Sequence, residues 1–371
     1  MAMCVAMLIA SEFMPVSLLT PIASDLGATQ GMAGQAISVS GLFAVITSLL
    51  TPVIAGRFDR KFVLLGMTGL MLLSLILIAA APSFSFLMIA RAFLGMAVGG
   101  FWALATATVM KLVPEDQVPK ALGLIYTGNA MATAFAAPIG SYMGGMIGWR
   151  GVFWGLVPLV MINLIWQWVS MPKIPPKGRT SAGQIFSLLK RSNVAFAMIA
   201  IMCIFSGAFC TFTYLRPFLE TYTQVTVTQL SLFLLGLGLA GFVGTYAATA
   251  LATTRLYPLI RCLPLLLAAA TVAILGVGHD KFGVALLMIF WGGLNAAIPV
   301  GWSTWLSKGI ADDPESGGGL LVAAIQLAIM IGGAFGGVLL DHVSIAATFT
   351  GGAALLLCGA LVVGDGSRLR A

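Results

Sequence analysis

Charge is what this sequence has least of: twelve Asp and Glu and nineteen Lys and Arg make up only 8% of its 371 residues. Soluble domains carry roughly 25%, so a water-solvated globular domain is excluded. A hydrophobic share of 60% and a mean hydropathy of +1.04 make lipid the solvent. Histidine is scarcer still. His279 and His342 both fall near the ends of apolar segments, and no His-Glu-x-x-His, Ser-His or paired-acid arrangement accompanies them. No enzyme is expected, nor any metal or cofactor. The five cysteines, Cys4, Cys203, Cys210, Cys262 and Cys358, are odd in number and follow no spacing, which argues against a disulfide framework and a zinc site. Each sits in an apolar segment and reads as a small buried hydrophobe. The formal charge of +7 lacks the clustered Lys and Arg of a nucleic-acid face, so no nucleic acid is expected. Rings of charge or a filter loop, which a channel needs, are missing too.

What is present is a succession of apolar runs. In hydrocarbon every backbone N–H and C=O has to be paired within its own element, so only helices or a closed barrel can span. Runs such as Val63 to Ala81 and Leu263 to Gly276 are apolar on every side, whereas barrel strands alternate. That makes them helices. A span takes about 20 apolar residues, and Pro, Gly and charge clusters divide the chain into twelve: 3–24, 31–55, 62–81, 85–110, 121–146, 150–170, 194–216, 229–250, 258–276, 283–306, 318–340 and 344–363. The first lacks a basic leading region and holds Glu12 in its middle, so it is expected as a span and not as a cleaved signal.

Residues 172–192, rich in Pro, Lys and Arg, read as a cytoplasmic linker between six-helix halves at 1–171 and 193–371. The halves look like a faded parallel repeat. Leu19-Thr20-Pro21 and Leu215-Arg216-Pro217 lie 196 residues apart, as 20 is from 216, and so do Gly140 and Gly336. Apart from Arg91 inside a span, and Arg150, Arg216 and Lys281 in outer loops, every Lys and Arg falls on the side that holds both termini. The positive-inside rule makes that side cytoplasmic.

Three short motifs resemble those of the major facilitator superfamily, in its drug:proton antiporter group. Gly56-Arg57-Phe58-Asp59-Arg60-Lys61 is similar to the group's gating loop, without its usual glycine after the acidic-basic pair. Arg91-Ala92-Phe93-Leu94-Gly95 with Gly99-Gly100 is similar to the motif linked there to proton coupling. Ala137-Pro138-Ile139-Gly140 resembles the antiporter motif, with Ala where Gly usually precedes Pro. Four longer stretches, residues 12–21, 99–103, 213–217 and 299–305, resemble the bacterial purine ribonucleoside exporters within that group. The resemblance implies twelve helices in two pseudo-symmetric halves, residence in a bacterial inner membrane as a multi-pass monomer, and proton-coupled export of a small organic solute. Purine ribonucleosides lead; sugars or amphiphilic drugs on the same fold are the alternative, and a non-transporting solute sensor is a distant one. Asp59, Arg60, Pro138 and Gly140 become expected gating residues.

Two charges lie deep in spans, Glu12 in the first and Arg91 in the fourth, and each costs about 2.5–3.5 kcal/mol on insertion scales if unpaired. Such a cost needs a reason. The functional reading makes Glu12 the proton carrier and Arg91 its tuner, because burial favours a neutral carboxyl while a nearby cation favours the carboxylate. The competing reading is a staple between spans, or an Arg91 that bonds backbone carbonyls at a tight helix crossing. For the solute, helical spacing sets Trp102 in a stripe with Gly95, Val98 and Thr106, Asn129 with Tyr126 and Thr133, Phe209 with Phe205 and Phe212, and Asn295 and Trp302 with Trp291 and Pro299, while Gln326 lies in the middle of the eleventh span; the resemblance adds Tyr214. Flat rings and paired amide groups suit a nucleoside. Ordinary packing or interhelical bonding explains each of them singly just as well.

Overall fold

A chain this apolar has to satisfy its backbone internally in lipid, and it does so with helices. In this computed structural model every residue is described except Gly56, 115–117, 176–186, Ala311, Asp313 and Ala371. Most of the linker, Gly56 of the gating loop, and the side chains of Thr106 and Tyr126 lie outside the described set. The helices are α1 (Ala2–Asp25), α2 (Gln30–Ala55), α3 (Arg60–Ala79), α4 (Phe84–Leu112), α5 (Val118–Ser170), α6 (Ser192–Thr213), α7 (Leu215–Thr221), α8 (Val227–Thr254), α9 (Leu256–Gly276), α10 (Lys281–Gly309), α11 (Pro314–His342) and α12 (Ile345–Val363).

Among the described residues eleven helices are long and apolar enough to cross a membrane, and α5 supplies the twelfth crossing. Its 53 residues would run about 80 Å at 1.5 Å each, far more than a bilayer core of about 30 Å. The break comes at Gly148, with φ 73° and ψ 162°, a conformation only glycine adopts freely. The fifth and sixth spans are therefore two arms joined at one residue, where a short loop was expected. The seventh span stops at Thr213 and restarts as α7. Pro217 is tolerated there because it falls in the first turn of the new helix, where its missing N–H is not needed.

Both chain ends lie on one face, here the termini face; the α1–α2 and α11–α12 turns mark the opposite, distal face. Packing follows the repeat. In the first half α2 packs on α4, α1 on α5 and α3 on α4; in the second α8 packs on α10, α6 on α11 and α9 on α10. Between halves α2 meets α11 and α5 meets α8, the two contacts that a two-fold relation between halves requires. The resemblance extends to single crossings: a Cβ on Gly140 would meet Met14 and Ser17 of α1, and one on Gly336 would meet Cys210 and Tyr214 of α6. Each half has its own apolar core. Among the described residues Ala137 of α5 joins the second half's core, and two small clusters also bridge the halves: Leu19, Ala23, Ala33 and Tyr214 near the distal face, then Val16, Ile37 and Ile329 with Phe209 and Phe212 below.

Close helix approach depends on missing side chains. A Cβ on Gly95 or Gly99 would run into the carbonyl oxygens of Ser40 and Ala44 on α2, backbone that cannot step aside. Gly99→Val is accordingly expected to prevent the α2–α4 crossing, and the check is loss of the monodisperse peak in detergent size exclusion, with Ala103→Val behaving as the parent.

Some sequence expectations need correcting. Cys262 and Cys358 are exposed on the bundle's outside and Cys203 is half-buried, so only Cys4 and Cys210 are buried. All three cations assigned to outer loops lie in helices, Lys281 as the first residue of α10. Arg150 sits in α5 beyond the Gly148 break and bonds the Asp25 carboxylate and the Ala81 carbonyl. Arg216 is buried within α7. At the termini face Arg191 forks onto Asp312, Nη1 to Oδ1 at 2.8 Å and Nη2 to Oδ2 at 2.6 Å. That guanidinium holds the Asp312 carboxyl down at about 2. Whatever the pair contributes is in place at neutral pH and is lost as the pH falls from the ordinary carboxylate range through that value.

Candidate functional site

The site begins with a proline. Pro15 has no N–H, so the carbonyl four residues earlier, Ser11, loses its helical donor. Arg91, fully buried on α4, supplies it: Nη1 donates to Ser11 O at 3.0 Å, Nη2 to Glu12 O at 3.2 Å and Nε to Ala36 O on α2 at 3.1 Å. Ser40 on α2 returns a hydrogen bond to the Arg91 carbonyl at 2.9 Å. The guanidinium thus knots α1, α2 and α4 through backbone oxygens. It makes no hydrogen bond to the Glu12 carboxylate; its partners are backbone carbonyls.

The Glu12 carboxylate, 3% exposed, faces the other half of the molecule. Oε1 accepts from Gln326 Nε2 on α11 at 3.3 Å. A neutral amide is a different partner from a cation: it donates to a carboxylate and, turned over, accepts from a carboxylic acid. Gln326 suits either protonation state and fixes neither. One residue along α1, Phe13 packs on Phe209 and Phe212 of α6, with ring centres 5.6 and 6.2 Å apart. Phe212 lies parallel to Trp291 of α10 at 6.3 Å, and Trp291 Nε1 is occupied by Thr271 Oγ1 at 3.0 Å. Acid, amide and aromatic faces therefore meet on the seam between halves.

Other sequence candidates are distributed unevenly. Trp102, edge-on to Phe101 at 6.5 Å, and Asn129 are half-buried on the first half, and Asn295 is half-buried on the second. Trp302 is 1% exposed and sits edge-on to Trp305 inside the core of the second half. Tyr214 is fully buried, its hydroxyl donating to Gly333 O at 2.7 Å and Gly31 O at 3.3 Å near the distal face. Both are enclosed in packed helices in this conformation. Among the gating candidates, Asp59 caps α3 through Lys61 N at 2.9 Å and also accepts from Ile174 N at 3.0 Å, while Arg60 N donates to Ile174 O. The loop is stitched to the chain leaving α5. Pro138 frees the Ala134 carbonyl, and the α8 backbone passes so close that a Cβ on Gly238 would lie 2.5 Å from that oxygen; Gly140 sits on α1 as described above. Sequence reasoning passed over Phe13; an Arg91 bonded to backbone carbonyls was one of its two readings, and a proline four residues downstream marks the Ser11 carbonyl.

The profile of the Major Facilitator Superfamily matches residues 1–318. The chain is 44% identical over 365 residues, 97% of its length and 91% of the relative's, to a Pseudomonas aeruginosa protein named transcription regulatory protein OpdE. It is 40% identical over 362 residues, 98% of its length and 91% of the relative's, to the purine ribonucleoside efflux pump NepI of Salmonella typhimurium. Its fold superposes on the crystal structure of a bacterial homolog of the human lysosomal transporter Spinster with a TM-score of 0.85 and 12% identity, over 99% of this chain and 95% of that one.

Proposed function

Because this chain belongs to the major facilitator superfamily, and is a multi-pass membrane transporter and not an enzyme, we propose that it exports purine ribonucleosides from the bacterial cytoplasm in exchange for protons. The observation that carries the reading is Glu12, an acid buried on the seam between halves and met there by the neutral Gln326. Burying an unpaired carboxylate costs several kcal/mol, so the halves resist passing one another while Glu12 is charged and uncovered. A proton removes the charge. A hydroxyl-bearing solute donating to the carboxylate offsets it. If each allows the passage and they exclude one another at one site, the result is exchange. The Lys and Arg bias places the termini face in the cytoplasm.

The cargo reading rests on Phe13, Phe209 and Phe212 as ring faces on which a base stacks, on Asn129 and Asn295 as amides for its edge, and on the NepI relatives. A sensor is the second reading, favoured by the name of the Pseudomonas relative. Purified protein in liposomes with an acidic exterior and labelled inosine or arabinose inside separates the readings. Acid-driven loss of inosine and not arabinose is expected; arabinose flux would move the reading to sugars, and saturable inosine binding without flux would make the protein a sensor.

A further inference from the structure

The two copies of the repeated segment, Leu19-Thr20-Pro21 and Leu215-Arg216-Pro217, meet at the distal face. Pro21 does to Ser17 what Pro15 does to Ser11: it leaves the carbonyl four residues earlier without a helical donor. The oxygen is filled from the opposite half. Arg216 Nη1 donates to Ser17 O, and Arg216 Nε donates to Glu220 Oε1, one turn along α7, at 2.7 Å. Glu220 Oε2 in turn accepts from Thr20 Oγ1 of α1 at 2.5 Å. We propose that Arg216 is a positioning residue that holds the distal gate shut, by occupying the Ser17 carbonyl that Pro21 leaves free. The role presupposes that the halves rock, as in the proposed transport, but not any particular cargo.

Arg216 and Glu220 share one helix, so they move together and stay paired when the halves part. Only the Ser17 and Thr20 links have to break. In the opened gate water would solvate the Ser17 carbonyl, the Thr20 hydroxyl and the ion pair, so the exchange is reversible in a way that separating a buried charge from its counter-ion is not. Tyr214 on Gly31 O and Asp341 on Gly31 N and Thr29 Oγ1 lie along the same edge. They are further ties between α2 and the second half, and Arg216 is the cation among them.

The test uses the full chain with its native cysteines replaced and a Phe13→Cys reporter at the centre of the seam, labelled by a membrane-impermeant maleimide from either side. Arg216→Gln is expected to speed labelling from the distal side about tenfold, the effect of losing roughly one charge-assisted hydrogen bond, and to slow it from the termini side. Arg216→Lys should fall between. General loosening would raise both rates together, so equal increases on both sides overturn the proposal, as do unchanged rates. Should Arg216→Gln fail to fold, Pro21→Ala decides: it restores the helical donor to Ser17 and should shift labelling the same way, and no shift overturns the assignment. Because the readout needs no solute, a shift in labelling alongside absent inosine flux in the parent chain, which keeps Phe13, leaves the gate standing and removes only the cargo reading.

Discussion

Glu12→Gln is expected to reduce acid-driven solute export in liposomes at least about tenfold, to the level seen without a pH gradient, while counterflow exchange of labelled for unlabelled solute persists. The reason is isosteric. Gln keeps the shape and the hydrogen-bonding capacity toward Gln326 but has no proton to gain or lose, so the passage of the halves no longer depends on the gradient. Export normally coupled to one proton draws about a factor of ten per pH unit from it, and that factor is what the variant loses. Uphill export that survives the substitution would reduce Glu12 to a structural residue and send the coupling site elsewhere.

Arg91→Leu is expected to destabilise the fold by about 2–5 kcal/mol, read as denaturant or thermal unfolding in detergent. The arithmetic decides between staple and burden. A mid-span Arg costs about 2.5–3.5 kcal/mol on insertion scales, yet three hydrogen bonds from a charged donor return about 1.5–3 kcal/mol each. The bonds win. Removing them also orphans the Ser11 carbonyl, which Pro15 has deprived of any other donor. Arg91→Lys should recover part of the loss, because one ammonium cannot hold the fork geometry that reaches α1 and α2 together. If Arg91→Leu unfolds at a higher midpoint than the parent, the guanidinium is a cost retained for transport alone.

How much of this was legible in the sequence varied with the kind of signal. Hydropathy marked every crossing because lipid leaves a helix no alternative partner for its backbone. It set a break between 146 and 150, where Gly148 turns the chain, but not the form of the join, since one glycine in a glycine-rich run carries no local mark of a positive φ. Glu12 and Arg91 stood out as charges within spans, but their partners did not. Gln326 is far from Glu12 in the chain and meets it only through the α1–α11 seam. The surroundings of Trp302 were not legible for a physical reason: α10 is apolar on all sides, so helical periodicity cannot separate the face turned to the other half from the face turned to its own core. Arg216 was assigned to a loop because a cation beside a proline usually ends a helix in water, whereas here it enters a new one.

The pairing of Thr20 with the Arg216–Glu220 unit bears on how such a molecule could arise by duplication. Where two copies of one segment face each other across a pseudo-dyad, a residue on the axis of an unfused, identical pair would confront itself. An arginine at that position would oppose a second guanidinium, and an acid at the position of Glu12 would occur twice in the seam. The fused chain has instead diverged on the axis: Thr20 against Arg216, Glu12 against Ala208, Gln326 against Ala130. Joining the copies in one polypeptide allows a single acid at the centre of the seam, where two identical copies would carry two.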